Sequence, residues 1–226
     1  MVNEPLNCQD IRVPYLNKDE PILLEQNLKT ANPFELFDGW FKEVAVKSDL
    51  SFEEINSVCL STCLHNKPSS RMVLMKSYDK EGFVFYTNKV SRKGQELSGN
   101  PFAAMLFYWP KLARQVRIEG SVVELALCVA DEYWNSRPLA SRIGSKSSDQ
   151  GSTIPNRDVL ECRKKELEKV AELEGGNAIT RPSTWIGYRL VPHNFEFWQG
   201  QSNRLHDRLI FDGSKDGIWS MKRLSP

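Results

Sequence analysis

Two hydrophobic periods divide this chain. Phe34, Phe37, Phe41 and Val44 recur at the spacing of one helix face. Asn32 can cap that helix, Pro33 suits its first turn, and Glu35 completes a capping pattern. From Asn56 onward, apolar positions alternate instead, as in half-buried strands. This predicts strands over 57–64, 70–77, 83–87, 102–109 and 115–123. Four more are expected over 185–190, 195–199, 205–211 and 218–224. Turn-forming runs separate several of them: Asn66-Lys67-Pro68, Asp79-Lys80-Glu81-Gly82, and Gly200 to Asn203. Helices are expected over 92–97, 130–135 and 157–173, the last charge-rich and therefore on the surface. Short strands with tight turns favour an antiparallel barrel or sandwich. Cys59 and Cys63 fall on one side of the first strand and read as core packing, with a metal pair as the lesser alternative.

Composition changes this picture little. The chain has 226 residues, 40% of them hydrophobic, enough for one sizeable core. No apolar run reaches the roughly 18 residues of a membrane span. Residues 1–10 carry Glu4 and Asp10 and no apolar core, unlike a secretory signal. The five cysteines are an odd number without a close Cys-x-x-Cys pair, which suits a reducing cytosol. A net charge of +1 argues against a nucleic-acid partner. Any basic site must therefore be a local cluster.

Three such clusters stand out. The run Arg71-Met72-Val73-Leu74-Met75-Lys76 puts Arg71, Val73 and Met75 on one strand face and Lys76 on the other. Tyr86-Thr87-Asn88 ends the next strand, and Ser91-Arg92-Lys93-Gly94 opens a helix whose first amides attract anions. Arg71, Arg92 and Lys93 could surround a phosphate dianion; a solvated basic pair is the bland alternative. Tyr133-x-x-x-Arg137-x-x-x-Ser141 spaces a phenol, a guanidinium and a hydroxyl along one helix face, unless Pro138 resets it. All three donate to phosphate, though ordinary helix capping explains them as well. The third cluster runs from Phe195 to Arg208. An aromatic strand precedes a turn, then Arg204, His206 and Arg208 fall within five residues. Leu205, Asp207 and Leu209 would share one strand face, and His206, Arg208 and Ile210 the other. Two guanidiniums and an imidazole suit a planar anionic ligand, and a solvated edge hairpin remains open.

The stretch Phe195-Glu196-Phe197-Trp198-Gln199-Gly200-Gln201-Ser202-Asn203-Arg204-Leu205-His206-Asp207-Arg208 resembles the C-terminal signature of the pyridoxine/pyridoxamine 5'-phosphate oxidases. These are FMN enzymes that make pyridoxal phosphate. Their signature is an acidic-aromatic-Trp-Gln run, four spacer residues, then Arg-Leu-His-Asp-Arg. Every position is matched. The resemblance extends from about Arg12 to Pro226 and includes the terminal Trp219-x-x-x-Arg223-Leu224-x-Pro226.

The resemblance implies an α+β fold, mainly antiparallel β: an FMN-binding split β-barrel with flanking helices, assembled as a homodimer. It implies an arm over residues 1–30 that lends Arg12 and Tyr15 to a substrate lid, and a single domain over 31–226. FMN would contact Arg71, Met72, Val73, Leu74, Met75, Lys76, Tyr86 and Thr87. It would also contact Arg92, Lys93, Gln115, Gln150, Gly151, Trp198 and Arg208. Gly151 departs from the family's usual serine, which loses a hydroxyl contact unless Ser152 supplies it. Lys76, Tyr133, Arg137 and Ser141 would hold the substrate 5'-phosphate. Arg204, Leu205 and His206 would meet its ring, with Arg204 and His206 as catalytic residues. The implied reaction oxidises pyridoxamine or pyridoxine 5'-phosphate to pyridoxal 5'-phosphate, with oxygen reoxidising FMN and hydrogen peroxide released. Such an enzyme is expected in the cytoplasm, without membrane or nucleic-acid partners. Two rivals are a split-barrel flavin oxidoreductase for another substrate and a non-catalytic pyridoxal phosphate binder. The first need not keep Tyr133, Arg137, Ser141 and the Arg204-Leu205-His206 run; the second would keep them in a faulty geometry.

Overall fold

The computed structural model describes residues 15, 23–48, 54–213 and 217–226. Arg12 of the expected lid lies outside them. The described residues hold nine strands: β1 (Ser57–Leu64), β2 (Lys67–Leu74), β3 (Ser77–Asp79), β4 (Gly82–Asn88), β5 (Phe102–Trp109), β6 (Arg114–Glu124), β7 (Trp185–Gln199), β8 (Asp207–Gly213) and β9 (Trp219–Arg223). They also hold five α-helices: α1 (Pro33–Lys47), α2 (Arg92–Gly99), α3 (Leu127–Ser136), α4 (Leu139–Lys146) and α5 (Asp158–Glu174). The fold is α+β with antiparallel pairing, as the periodicity predicts. The strand order is β2-β1-β5-β6-β7-β4-β3, and β8 pairs with β7 and β9. The chain forms two compact units. A terminal unit draws on Met1–Ile55, Tyr108–Val116 and Phe195–Pro226; a central unit draws on Asn56–Phe107 and Arg117–Asn194.

The terminal unit packs α1 on an aromatic core. The Asn32 side chain accepts from the Phe34 amide at 2.9 Å, which supplies the expected cap. The buried helix face is Phe37, Trp40 and Val44, with Phe34 and Phe41 only half-buried. Trp40 takes the central place because its ring meets Phe197 edge-on at 5.2 Å. Phe34 meets Phe195 at 5.2 Å, and Phe197 meets Phe211 at 5.7 Å. Arg114 is buried here and satisfied: Glu43 lies at 2.6 Å, Gln199 at 2.7 Å, and the Trp40 ring beneath it at 4.6 Å.

In the central unit, β1 and β2 form a hairpin whose register runs from Ser57↔Leu74 to Leu64↔Lys67. His65 and Asn66 make its two-residue turn at φ 50 and 59. The turn therefore falls one residue earlier than Asn66-Lys67-Pro68 suggests, and the expected 70–77 strand becomes β2 plus the short β3. Pro68 is accommodated because β2 is an edge strand. β1 buries Val58, Leu60 and Thr62, so Cys59 and Cys63 sit half-buried on its opposite face rather than in the core. The stretches 185–190 and 195–199 belong to one strand, β7. Its pairing with β4 ends at Leu190, so Pro192 removes no donor from that ladder. α4 was not expected; Pro138 precedes its first turn instead of ending α3's face. α5 buries none of its residues and is a surface helix, as its charge predicts.

Candidate active site

A cleft of about 740 Å³ opens in the central unit, within the range of small-molecule sites, roughly 300–1,000 Å³. β2, β4, the start of α2, and the α3–α4 corner surround it. Eleven of the residues expected at a cofactor or substrate line it: Arg71, Met72, Val73, Leu74, Lys76, Tyr86, Thr87, Lys93, Tyr133, Arg137 and Ser141, and Gln150 makes a twelfth. Four of these are cations. None of the described lining residues is Asp or Glu.

The first cationic pole is built on α2. Ser91 caps the helix by accepting weakly from the Gly94 amide at 3.4 Å. Gly94 is required there, because a Cβ would lie 2.2 Å from the Lys89 carbonyl oxygen. Lys93 then reaches neutral oxygens alone, on Thr87, Ser91 and Gln150, each at 3.3 Å. Burial and the neighbouring Arg71 push the Lys93 ammonium below its ordinary value, against an opposing pull from Glu96. Gln150 also accepts from Thr87 at 3.0 Å, which fixes its amide against the cleft wall.

Arg71 is tied into the protein behind that pole. Its Nη1 donates to the Leu60 carbonyl at 3.2 Å and to Thr62 at 2.6 Å. Its Nη2 donates to Ser69 and, at 3.0 Å, to Glu96. Glu96 is buried and also accepts from Thr62 at 2.5 Å and from Arg92 at 2.9 Å. Burial works to raise its pKa, but the bonds from Thr62, Ser69, Arg92 and Arg71 prevail and lower it to about 2. Arg92 does not line the cleft; its Nε pairs with Glu96 one helical turn away, and its side chain is 70% exposed. Met75 does not line it either. Its side chain is buried in the core, because the chain leaves β2 after Leu74 and turns it inward. Gly151 lies beside Gln150 at φ +92, a left-handed conformation that favours glycine over the expected serine.

The second pole is Arg137. Its guanidinium lies over the rings of Trp134 and Trp185, at 5.2 and 5.1 Å. Nη2 donates to Ser145 at 3.0 Å. Nη1 is buried and has no hydrogen-bond partner among the described residues. Burial lowers the Arg137 pKa; Tyr133 opposes this and the nearby Arg142 adds to it. Trp134 is anchored by its indole N–H on the Ile179 carbonyl at 2.9 Å. Tyr133, Tyr86 and Trp185 stack into one aromatic wall, with the Tyr86 centroid 4.2 Å from Tyr133 and 5.0 Å from Trp185. Gly187 makes room for it, since a Cβ would stand 2.8 Å from the Tyr86 ring. Ser145, Trp185 and the Glu96 network were missed in the sequence. Ser145 follows Ser141 by one helical turn, which was the available signal.

The terminal unit holds its own constellation. Tyr15 lies edge-on to His206 at 5.1 Å and to Trp198 at 5.7 Å, and Arg204 sits over the Tyr15 ring at 5.5 Å. Arg204 is at φ 68, so the chain is not extended there and β8 begins only at Asp207. Arg204 and His206 are therefore gathered around Tyr15 and not by strand alternation. Leu205 is exposed. Arg208 donates to Glu196 at 2.7 Å and to the Ser225 carbonyl at 2.9 Å. Gln115 occupies a half-buried position in β6.

The sequence matches two family profiles: pyridoxamine 5'-phosphate oxidase over residues 48–171, and the C-terminal dimerisation region of pyridoxine 5'-phosphate oxidase over 185–226. A Caenorhabditis elegans protein, provisionally named a pyridoxamine 5'-phosphate oxidase, is 57% identical over 227 residues, all of both chains. The pyridoxine-5'-phosphate oxidase of Bos taurus is 47% identical over 83% of this chain and 70% of its own. Among solved structures, PhzG of Burkholderia lata, in complex with tetrahydrophenazine-1-carboxylic acid, superposes with a TM-score of 0.81 at 31% identity. That match covers 91% of this chain and 98% of PhzG.

Proposed function

Because the chain belongs to the pyridoxamine 5'-phosphate oxidase family, we propose that it binds FMN and oxidises pyridoxamine 5'-phosphate and pyridoxine 5'-phosphate to pyridoxal 5'-phosphate. Oxygen is the electron acceptor and leaves as hydrogen peroxide; the amine substrate also takes up water and releases ammonia. The observation that carries this reading is the charge of the cleft. Arg71, Lys76, Lys93 and Arg137 line it without a described carboxylate among the lining residues. Each phosphate monoester brings about −1.5 to −2 charges at pH 7, so two of them match four cations.

FMN fits this donor set. Lys93 is a desolvated ammonium facing neutral oxygens, and Arg71 adds a guanidinium edge beside it. When bound, FMN supplies the acceptor for a hydride equivalent from the substrate's C4' carbon. Lys93, Arg71, Thr87 and Gln150 would hold its phosphate end, with Arg92 adding positive potential from outside the cleft. Arg137, Lys76, Tyr133 and Ser141 would hold the substrate phosphate, through the Nη1 donor that has no partner among the described residues. Gln115, Trp198 and Arg208 belong to the flavin in this reading; Tyr15, Arg204, Leu205 and His206 belong to the substrate ring. The active protein is a homodimer in this reading, which the match to a dimerisation region supports. A cytoplasmic location suits the free thiols of Cys59, Cys63, Cys128 and Cys162.

The test is the visible spectrum of the purified protein. A flavin spectrum that bleaches anaerobically with pyridoxamine 5'-phosphate supports both cofactor and reaction. Bleaching only by an unphosphorylated carboxylated ring, the chemistry PhzG's ligand displays, would overturn the substrate assignment.

A further inference from the structure

The loop between β7 and β8 fixes the imidazole that the oxidase reading places at the substrate ring. The Gln201 backbone N–H donates to His206 Nδ1 at 3.0 Å. A backbone amide can only donate, so Nδ1 must accept and cannot itself carry a proton. A neutral imidazole in that bond holds its proton on Nε2. We propose that His206 acts as a fixed Nε2–H hydrogen-bond donor, with Gln201 as the positioning residue that sets its tautomer. This rests on the oxidase reading only for the identity of the acceptor, the ring oxygen of a 3-hydroxypyridine.

The geometry around the loop is overdetermined, as a fixed tautomer requires. The Gln201 side chain is buried and donates to Asp207 Oδ2 at 2.8 Å. Asp207 is buried as well, and accepts from Arg223 at 2.7 Å and from the Leu23 amide at 3.1 Å. The Gly200 amide donates to the Ala113 carbonyl at 2.7 Å, and the Arg204 amide closes the turn on the Gln201 carbonyl at 3.1 Å. Gly200 has no room for a Cβ, which would meet Tyr15 at 2.8 Å and Trp198 at 2.9 Å. The same two rings flank the imidazole, Tyr15 at 5.1 Å and Trp198 at 5.0 Å.

The charged groups around the ring favour its neutral form. Burial and the Arg204 cation hold the His206 pKa below its ordinary value; Asp207 opposes them, but its oxygens are engaged by Gln201, Arg223 and Leu23. At neutral pH, Nδ1 is therefore occupied and Nε2 already carries a proton. The ring can donate one hydrogen bond and accept no proton from a substrate amine or alcohol. A ring oxygen bearing negative charge is the acceptor such a donor stabilises best.

The chain has three histidines, His65, His193 and His206, so imidazole nitrogen NMR resolves them. In protein labelled with 15N-histidine near neutral pH, the signal lost in His206→Gln should show a protonated Nε2 and an unprotonated, hydrogen-bonded Nδ1. An Nδ1–H tautomer or a doubly protonated ring would overturn the proposal. This measurement needs neither flavin turnover nor substrate, so it stands even if the oxidase reading fails. In the active enzyme, His206→Gln places an amide N–H near the Nε2 position and should lose less of kcat than His206→Ala does. His206→Ala should lose on the order of tenfold to a hundredfold, the span of one charge-assisted hydrogen bond. Equal losses in the two variants would point to proton abstraction and overturn the donor role.

Discussion

Arg137→Ala tests the second pole of the cleft most directly. Without a ligand, the guanidinium is poorly placed for stability. Its buried Nη1 has no partner among the described residues, a penalty of about 1–3 kcal/mol. Its contacts over Trp134 and Trp185 return about 0.5–2 kcal/mol. These nearly cancel, so the alanine variant should stay folded with a Tm within roughly 4 °C of the parent. With a phosphorylated substrate, the same nitrogen gains an anionic acceptor. Losing that charged hydrogen bond is worth about 1.5–3 kcal/mol, or roughly tenfold to 150-fold in binding. Steady-state kinetics with pyridoxamine 5'-phosphate should therefore show KM rising by that factor, while bound flavin, read from visible absorbance, is unchanged. Arg137→Lys should recover little. An ammonium has no planar fork with which to cover the indoles and reach Ser145 and a phosphate oxygen together. An unchanged KM would refute the role. Purification without flavin would show that Arg137 serves the other phosphate.

Four further outcomes are expected. Lys93→Ala should weaken FMN binding at least about tenfold in a fluorescence titration, with equal affinity refuting the assignment. Arg71→Ala should weaken it too, but should also lower Tm, because it leaves the buried Glu96 carboxylate without one of its cations. In acid, the Glu96 contribution to stability should be complete above the ordinary carboxylate value of 4.5 and fade as pH falls towards about 2, since its folded pKa is depressed. Glu96→Gln should flatten that limb of a Tm–pH series; identical slopes for variant and parent would refute the network. Active, flavin-loaded protein should sediment as a dimer, and an active monomer would refute the homodimer.

Secondary structure was largely legible because alternation and caps are local. The period placed β1 and β5 at their observed limits, and Asn32, Pro33 and Glu35 announced α1. Errors came where a local signal has two physical uses. Pro138 breaks a helix from within but also starts one, and α4 is the second case. Pro192 weakens a strand, but the pairing of β7 with β4 has already ended there. Leu205 and His206 read as strand residues by alternation, yet β8 begins only at Asp207, and Arg204 is held at φ 68 over Tyr15, a contact between residues 189 positions apart. Long-range partners of that kind leave no periodic trace.

The same distinction applies to charge. A net charge of +1 confined any basic site to local clusters along the chain. Folding nevertheless collects four cations around one cleft and keeps carboxylates out of its described lining. Burial is the main cause that lowers the Lys93 and Arg137 pKa values, and like charge adds to it: Arg71 at Lys93, and Arg142 at Arg137. Glu96 offsets part of that like charge from behind the wall, bridging Arg71 and Arg92 without entering the cleft. An isolated glutamate in an eight-residue helix gives no sequence signal for that task. Its partners Thr62, Ser69 and Arg71 come from a hairpin about 30 residues earlier. What remains is a cleft with four cations and no carboxylate in its described lining, which favours anions. Any phosphorylated ligand bound there should therefore stabilise the fold by mass action, in proportion to the logarithm of its concentration over Kd.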